Sequence, residues 1–438
     1  MKESFLHYVW RTMQFDMRQL KTTCQQEVNI IEIGTHNQYA GPDFLTSKIM
    51  IGREIWAGNV EIHIQSSMWN THGHSGDPLY ENVILHVVWE DDATIRRADG
   101  SIIPCLELKS ITHKNTVAAY YRLMASPDWI PCASFYSHTS ELVIKTWYQR
   151  LITEKLTSKL TNIDWMYEAN QNDREQTFYQ LLFRNFGFGV NNAFFEDMAN
   201  RVSYKMLLKN SDQLMDIEAI LFGTAGLLTP DNLPDDYTKA LYGRFVHLRN
   251  KYGIIPKNAI ELHFFKLRPP NFPTVRLAQL SAFLFGNQNI WSKVLAARDI
   301  RSISNMFDIS VSPYWQTHYH FGKNTQRKSK RKLSKNAIHL LIINTIAPYM
   351  FHYGSKRNEE QWIFKSFEYL ESIPAEKNHI ITRWRKLGAD PKSASESQAL
   401  LYLKKMYCDK KRCLFCPVAH QWLNTVKESK LRNHVQPN

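Results

Sequence analysis

Gly41-Pro42-Asp43-Phe44 opens an amphipathic run to Ile51, Gly52 turns the chain, and a second run ends Asn59-Val60-Glu61-Ile62-His63-Ile64. The two runs read as a β-hairpin, because side chains on a strand alternate between faces. Val60, Ile62 and Ile64 then point to a core, while Glu61, His63 and Gln65 share the other face. Asp43 and Glu61 stand on neighbouring strands, with the proton-handling imidazole of His63 two residues after Glu61. Two acidic oxygens beside such a group suit a hard divalent cation, Mg2+ or Mn2+, next to an attacking water. Asp43, Glu61 and His63 are therefore the expected catalytic residues, with Asp43 and Glu61 as metal ligands.

Working outward, a helix is expected over Phe5–Leu20, and further strands at Val28–Ile33, Val83–Trp89 and Ile102–Leu108. Val83 to Trp89 is apolar on both faces except at His86, the pattern of a strand buried on both sides. Between the hairpin and that strand, Gly73, Gly76 and Pro78 leave room for only a short helix. From Ser140 the period changes to 3.6, and helices recur at Leu142–Leu160, Glu175–Phe186, Asn192–Leu208, Asp212–Leu221, Asp235–Tyr252 and Val275–Phe285. Arg268-Pro269-Pro270-Asn271-Phe272-Pro273 interrupts this series. A later helical group spans Ala337–Tyr349, Glu359–Leu370 and Ser397–Met406. The expected organisation is a small α/β domain, residues 1–134, followed by a large all-helical region, residues 135–438.

The net charge of +13 is unevenly spread, since residues 1–134 hold 11 Lys/Arg against 15 Asp/Glu. Between Lys323 and Lys335 lie seven basic residues and no acid: Lys323, Arg327, Lys328, Lys330, Arg331, Lys332 and Lys335. Such a run is either a solvated loop or a contact to a phosphate backbone. Lys328, Lys330 and Arg331, with Arg268 and Arg276 around the proline segment, are the candidate nucleic-acid contacts; a rigid brace is the alternative for the last two. No run of about 18 apolar residues is present, so no membrane span is expected. The N-terminus lacks the basic-then-apolar form of a signal peptide, and a cytoplasmic location follows as the default.

Cys408, Cys413 and Cys416 form a Cys-x4-Cys-x2-Cys cluster followed by Pro417. Three close thiols are expected to converge on one centre, zinc or iron–sulfur, with Cys132 or His420 as the fourth ligand; reduced thiols at a helix end are the alternative. Cys24 and Cys105 read as isolated small apolar residues. His72 and His74 offer nitrogen ligands near Glu61, suited to zinc, manganese or iron. They read equally as phosphate contacts over the hairpin, or as an ordinary turn. His86 alone reads as a hydrogen-bonded core histidine. Glu32 and His36, flanking Gly34, could reach the site, whereas Lys48 falls on the face opposite Asp43.

Pro42-Asp43, seventeen residues, then Glu61-Ile62-His63 resembles the Pro-Asp…(Asp/Glu)-x-Lys signature of the restriction-endonuclease-like nucleases. The resemblance covers residues 1–110. It implies an α+β restriction-endonuclease-like core in which Asp43 and Glu61 bind magnesium; His63 stands where those enzymes have a lysine. Some of these nucleases join one distant cysteine to three near the C-terminus around a [4Fe–4S] cluster, and Cys132 with Cys408, Cys413 and Cys416 is similar in number and order. The whole chain also resembles a bacterial family of the domain-of-unknown-function kind, through Gly41-Pro42-Asp43-Phe44, Trp56-Ala57-Gly58-Asn59-Val60-Glu61-Ile62-His63, His72-Gly73-His74, Asn82-Val83-Ile84-Leu85-His86, Arg268-Pro269 with Asn271-Phe272-Pro273, and the cysteine cluster. A metal-dependent nuclease or phosphodiesterase is the leading expectation. A non-catalytic nucleic-acid-binding scaffold and a histidine-based hydrolase of a small substrate are the alternatives.

Overall fold

In the computed structural model the described residues are the whole chain except Gln19, Gln326, Arg327 and residues 434–438, together with the side chains of 426–433. Contacts divide the chain into two compact units. The first is Met1–Trp147 with Arg383–Ala389 and Leu401–Asn438; the second is Tyr148–Thr382 with Asp390–Leu400. The cysteine-bearing C-terminal segment thus packs with the N-terminal residues, an association no linear division of the chain expresses.

The first unit is built on one mixed sheet. Its elements are helix α1 (Glu3–Arg11), strands β1 (Val28–Glu32), β2 (Thr35–His36), β3 (Phe44–Ile51) and β4 (Glu54–Gln65), helix α2 (Met68–Thr71), strands β5 (Val83–Glu90) and β6 (Cys105–Glu107), and helix α3 (Lys114–Ala125). The strand order is β1-β3-β4-β5-β6, with β2 paired to the start of β3. Pairing is antiparallel from β1 through β4 and parallel from β4 to β6. The parallel step has to cross over, and the loop carrying α2, His72 and His74 makes that crossing. β5 is buried on both faces, His86 included, as its continuous apolar run requires.

Two local features depart from simple alternation. β3 carries one extra residue between Phe44 and Ser47, opposite Val60 and Gly58 of β4. Thr46 occupies this bulge at φ +57°, a left-handed conformation unfavourable for a β-branched residue. The bulge changes the parity of the strand: Phe44 is buried, but beyond it Ser47, Ile49 and Ile51 are buried in turn. A bulge re-aims the side chains next to it, here those beside Asp43. Gly34, at φ +85°, lets β1 turn into β2 against β3, where an added Cβ would lie 2.3 Å from Ser47 Oγ.

The first helix is shorter than its sequence suggests. It ends at Arg11, Thr12 Oγ1 donates to the Tyr8 carbonyl (2.7 Å), and Met13 turns to φ +50°. Phe5, Leu6, Tyr8, Val9 and Trp10 are buried, and the helix packs on β4. The run Asn192–Leu208 is likewise two helices, Asn192–Arg201 and Tyr204–Leu208, parted where Ser203 caps the second by accepting the Met206 N–H. The second unit is helical around a large aromatic and aliphatic core that includes Phe178, Phe183, Phe222, Phe283 and Trp315. It is not wholly helical, because strands His318–His320 and Lys323–Asn324 form a small antiparallel ribbon. No described helix is long and apolar enough to cross a membrane.

Candidate metal centre

Asp43 ends the turn into β3, and Glu61 lies on β4 where the two strands pair. Each carboxylate is held by the other strand's backbone. The Asp43 N–H donates to Glu61 Oε2 (3.0 Å), and the Ile62 N–H donates to Asp43 Oδ2 (3.0 Å). This reciprocal pair fixes both acids at the rim of the hairpin. Glu61 is buried, while the Asp43 side chain keeps 23% of its exposure.

Imidazoles from several elements gather around these acids, three facing them and three facing other histidines. His63 follows Glu61 on the same face of β4, with Nε2 3.6 Å from Glu61 Oε1. His74, on the loop after α2, places Nε2 3.4 Å from the same oxygen. His72 Nδ1 lies 3.1 Å from His63 Nε2. His7, on α1, sets Nε2 3.3 Å from Asp43 Oδ2, and its Nδ1 meets His36 Nε2 of β2 at 3.4 Å. His86 of β5 contacts the far side of the His63 ring, Nε2 to Nδ1 at 2.9 Å. A core histidine by position, His86 therefore also fixes the orientation of His63, as partners of metal-ligating imidazoles do.

The loop itself is anchored. Asp92 accepts from Ser66 Oγ (3.0 Å), the Ser67 N–H (2.8 Å) and Ser67 Oγ (2.8 Å), which pins the chain as it leaves β4. Trp69 lies edge-on to His63, His74 and His86, and Tyr80 stacks on His74 with ring centroids 3.8 Å apart.

Burial sets the charge state. It pushes His63 down to about 2, reinforced by His86, His72 and His74, and pushes His86 down to about 4. His74 is lowered as well, by burial and then by His72. The rings are consequently neutral, the form that ligates metals. Burial, with Asp43 next, raises the Glu61 carboxyl far above the ordinary carboxylate range. The buried nitrogens His74 Nε2 and His7 Nε2 have no hydrogen-bond partner.

These distances fit a bound cation. Bonds of about 2.0–2.1 Å in a tetrahedron put ligand atoms about 3.3–3.4 Å apart. The separations among Glu61, His63, His72 and His74 run from 3.1 to 3.6 Å along the three contacts, and ligand atoms of the three histidines all lie within 4.8 Å of one another. The set is richer in nitrogen than the oxygen pair read from the sequence.

Glu3 and His7 escaped the sequence reading. They stand four residues apart on one face of α1. Glu3 has a buried, unpartnered Oε1 and feels the charges of His72, Asp43 and His7. The available signal was that helical spacing in a segment read only for its apolar face. Glu32 and Lys48 are exposed and pair with each other across β1 and β3, and only His36 of the Gly34 pair reaches the cluster.

The four cysteines converge within the first unit. Burial raises the proton affinity of all four thiols, and Cys132, Cys413 and Cys416 each raise that of another further, Cys408 being raised by all three. The N–H groups of Val418 and Ala419 are directed at the Cys416 sulfur. His420, the other candidate fourth ligand, has both nitrogens engaged, Nδ1 with Tyr8 (3.1 Å) and Nε2 with Asn424 (3.0 Å). Among the described residues no three of these sulfurs lie mutually within 4.8 Å. A single zinc ion with bonds of about 2.3 Å needs sulfurs about 3.8 Å apart.

The remaining candidates lie in the second unit. Lys328, Lys330 and Arg268 are exposed. Arg331 is buried over the Tyr319 ring, 3.5 Å from its centroid, and Arg276 is buried too. Arg327 lies outside the described residues.

A protein-family model described as "Protein of unknown function (DUF2851)" matches residues 3–379. No curated protein and no solved structure matches the chain.

Proposed function

The chain belongs to this DUF2851 family, and from its histidine–carboxylate site we propose that it is a metal-dependent hydrolase of phosphodiester bonds in nucleic acid. The observation that carries the reading is the gathering of His63, His72 and His74, whose ligand atoms lie within 4.8 Å of one another, with Glu61 Oε1 3.6 Å from His63 and 3.4 Å from His74. Three imidazoles and a carboxylate favour Zn2+, Mn2+ or Fe2+ over the Mg2+ that an oxygen pair alone would take. When bound, the ion would polarise a phosphoryl oxygen and make water a nucleophile near neutral pH. His63, with one nitrogen against His86 and the other toward Glu61, is better suited to holding the ion than to accepting a proton. His7 stands against Asp43 and His36, at the edge of the site, and takes the proton-accepting role. The order helix, four antiparallel strands, short helix, parallel strand supports a restriction-endonuclease-like core, and the basic charge supports a polyanionic substrate.

The test is cleavage of single- and double-stranded DNA and RNA with Mn2+, Zn2+ or Mg2+. Activity no higher than that of an Asp43→Ala, Glu61→Ala double variant would remove the hydrolase reading. Salt-sensitive binding without metal uptake would instead favour a non-catalytic scaffold.

The cysteine group supports a second cofactor. Three buried thiols, Cys132, Cys413 and Cys416, with the half-buried Cys408 in the same unit, and no three sulfurs mutually within 4.8 Å among the described residues, favour an iron–sulfur cluster over one zinc ion at these four residues. Such a centre would tie the C-terminal segment to the Cys132 turn. Anaerobic purification, an absorbance spectrum and elemental analysis decide it, because zinc is colourless.

A further inference from the structure

In the second unit, a cavity of about 260 Å³ is walled by Phe186, Phe188, Phe195, Leu267 and Leu340, with Arg276 at one side. Arg276 is 8% exposed and makes no ion pair with any described carboxylate. Its Nη1 donates to Gln279 Oε1 (2.9 Å), its Nη2 to Asn271 Oδ1 (2.7 Å), and its guanidinium carbon lies 4.1 Å from the Phe188 ring centroid. Two amide oxygens thus serve a group with five N–H donors, and Nε is buried without a partner.

A buried cation without a counter-charge is costly, since desolvation is compensated only by hydrogen bonds. Burial lowers Arg276 to about 10, and no neighbouring charge of either sign contributes. A merely structural position would be served as well by a neutral side chain. The rim supplies further polar groups: Ser334, whose Oγ accepts the Ala337 N–H and keeps its own hydroxyl hydrogen to give, and the exposed Asn336. With the second N–H of each guanidinium terminus, these donors outnumber the oxygens of a carboxylate and suit the three terminal oxygens of a phosphate monoester. The aromatic and aliphatic walls suit an organic body of about nucleoside size.

We propose that the Arg276 cavity is a binding site for a nucleoside monophosphate, with the guanidinium on the phosphate and the phenylalanine-lined wall against the organic body. The site is independent of the metal centre, and its test needs no turnover.

The full-length protein, held in EDTA, is titrated by calorimetry with AMP, UMP, adenosine and inorganic phosphate. AMP or UMP should bind, adenosine should not, and Arg276→Met should weaken nucleotide binding about tenfold or more. Leu340→Trp narrows the cavity while leaving Arg276 in place and should weaken it similarly, which keeps the test valid should Arg276→Met fail to fold. Absence of binding by either nucleotide at about 10 mM, or unchanged binding in Leu340→Trp, overturns the site. Inorganic phosphate binding as tightly as the nucleotides overturns the assignment of the organic body.

Discussion

His74→Ala separates a metal centre from a merely packed histidine cluster. His74 Nε2 faces Glu61 Oε1 at 3.4 Å without a hydrogen bond, while its ring stacks on Tyr80. In EDTA the substitution removes only a ring whose side chain is 11% exposed, at a cost of about 1 kcal/mol. A cation at about 100 times its Kd stabilises the native protein by about 2.7 kcal/mol. If loss of one ligand weakens binding about 100-fold, that concentration equals the variant's own Kd, and its gain falls to about 0.4 kcal/mol. The difference, about 2.3 kcal/mol, corresponds to roughly 5–9 °C in the melting temperature of a unit of this size. Thermal and urea unfolding, each with EDTA, Zn2+ or Mn2+, read it. Equal gains in both proteins would remove His74 from the centre; no gain in the wild type with either ion would refute the centre itself.

Three other outcomes are expected. Glu218 is buried, accepts the Tyr237 hydroxyl (3.0 Å) and is pushed by burial from an ordinary 4.5 up to about 7. The folded state holds this proton more tightly than the unfolded one, so stability falls as pH rises between those values; Glu218→Gln should match wild type near pH 4.5 and exceed it by about 1–3 kcal/mol at pH 8, measured by urea unfolding. Gly58→Ala would put a Cβ 2.5 Å from Ile84 and 2.6 Å from the Asn82 carbonyl, and should cost about 1–3 kcal/mol in the same assay. Cys408→Ser should abolish bound iron in elemental analysis while Cys24→Ser, at an exposed position outside the cluster, retains it.

Much of the first unit was legible in its periodicities. The hairpin strands, the doubly buried β5 and the short helix after β4 follow from alternation and from glycine and proline placement. Helix ends were less legible. Arg11 ends α1 because the chain must turn Phe15 into a bridge with Thr112, a partner about a hundred residues away. The β3 bulge was invisible for a similar reason, since an extra residue is defined only against a neighbouring strand.

The sequence by itself determined which residue types were available: the acids on a hairpin, the neighbouring histidines, and three clustered thiols with a distant fourth. Local spacing carries that information, because alternation and turn chemistry act within a few residues. Tertiary structure alone decided that His7 of the first helix meets Asp43 and that Glu3 feels its charge, that His86 holds His63, and that Cys132 rather than His420 faces the cysteine cluster. It also decided that Arg276 is buried without a carboxylate. Such relations join residues far apart in the chain, and they depend on burial and donor direction, which exist only once the elements pack.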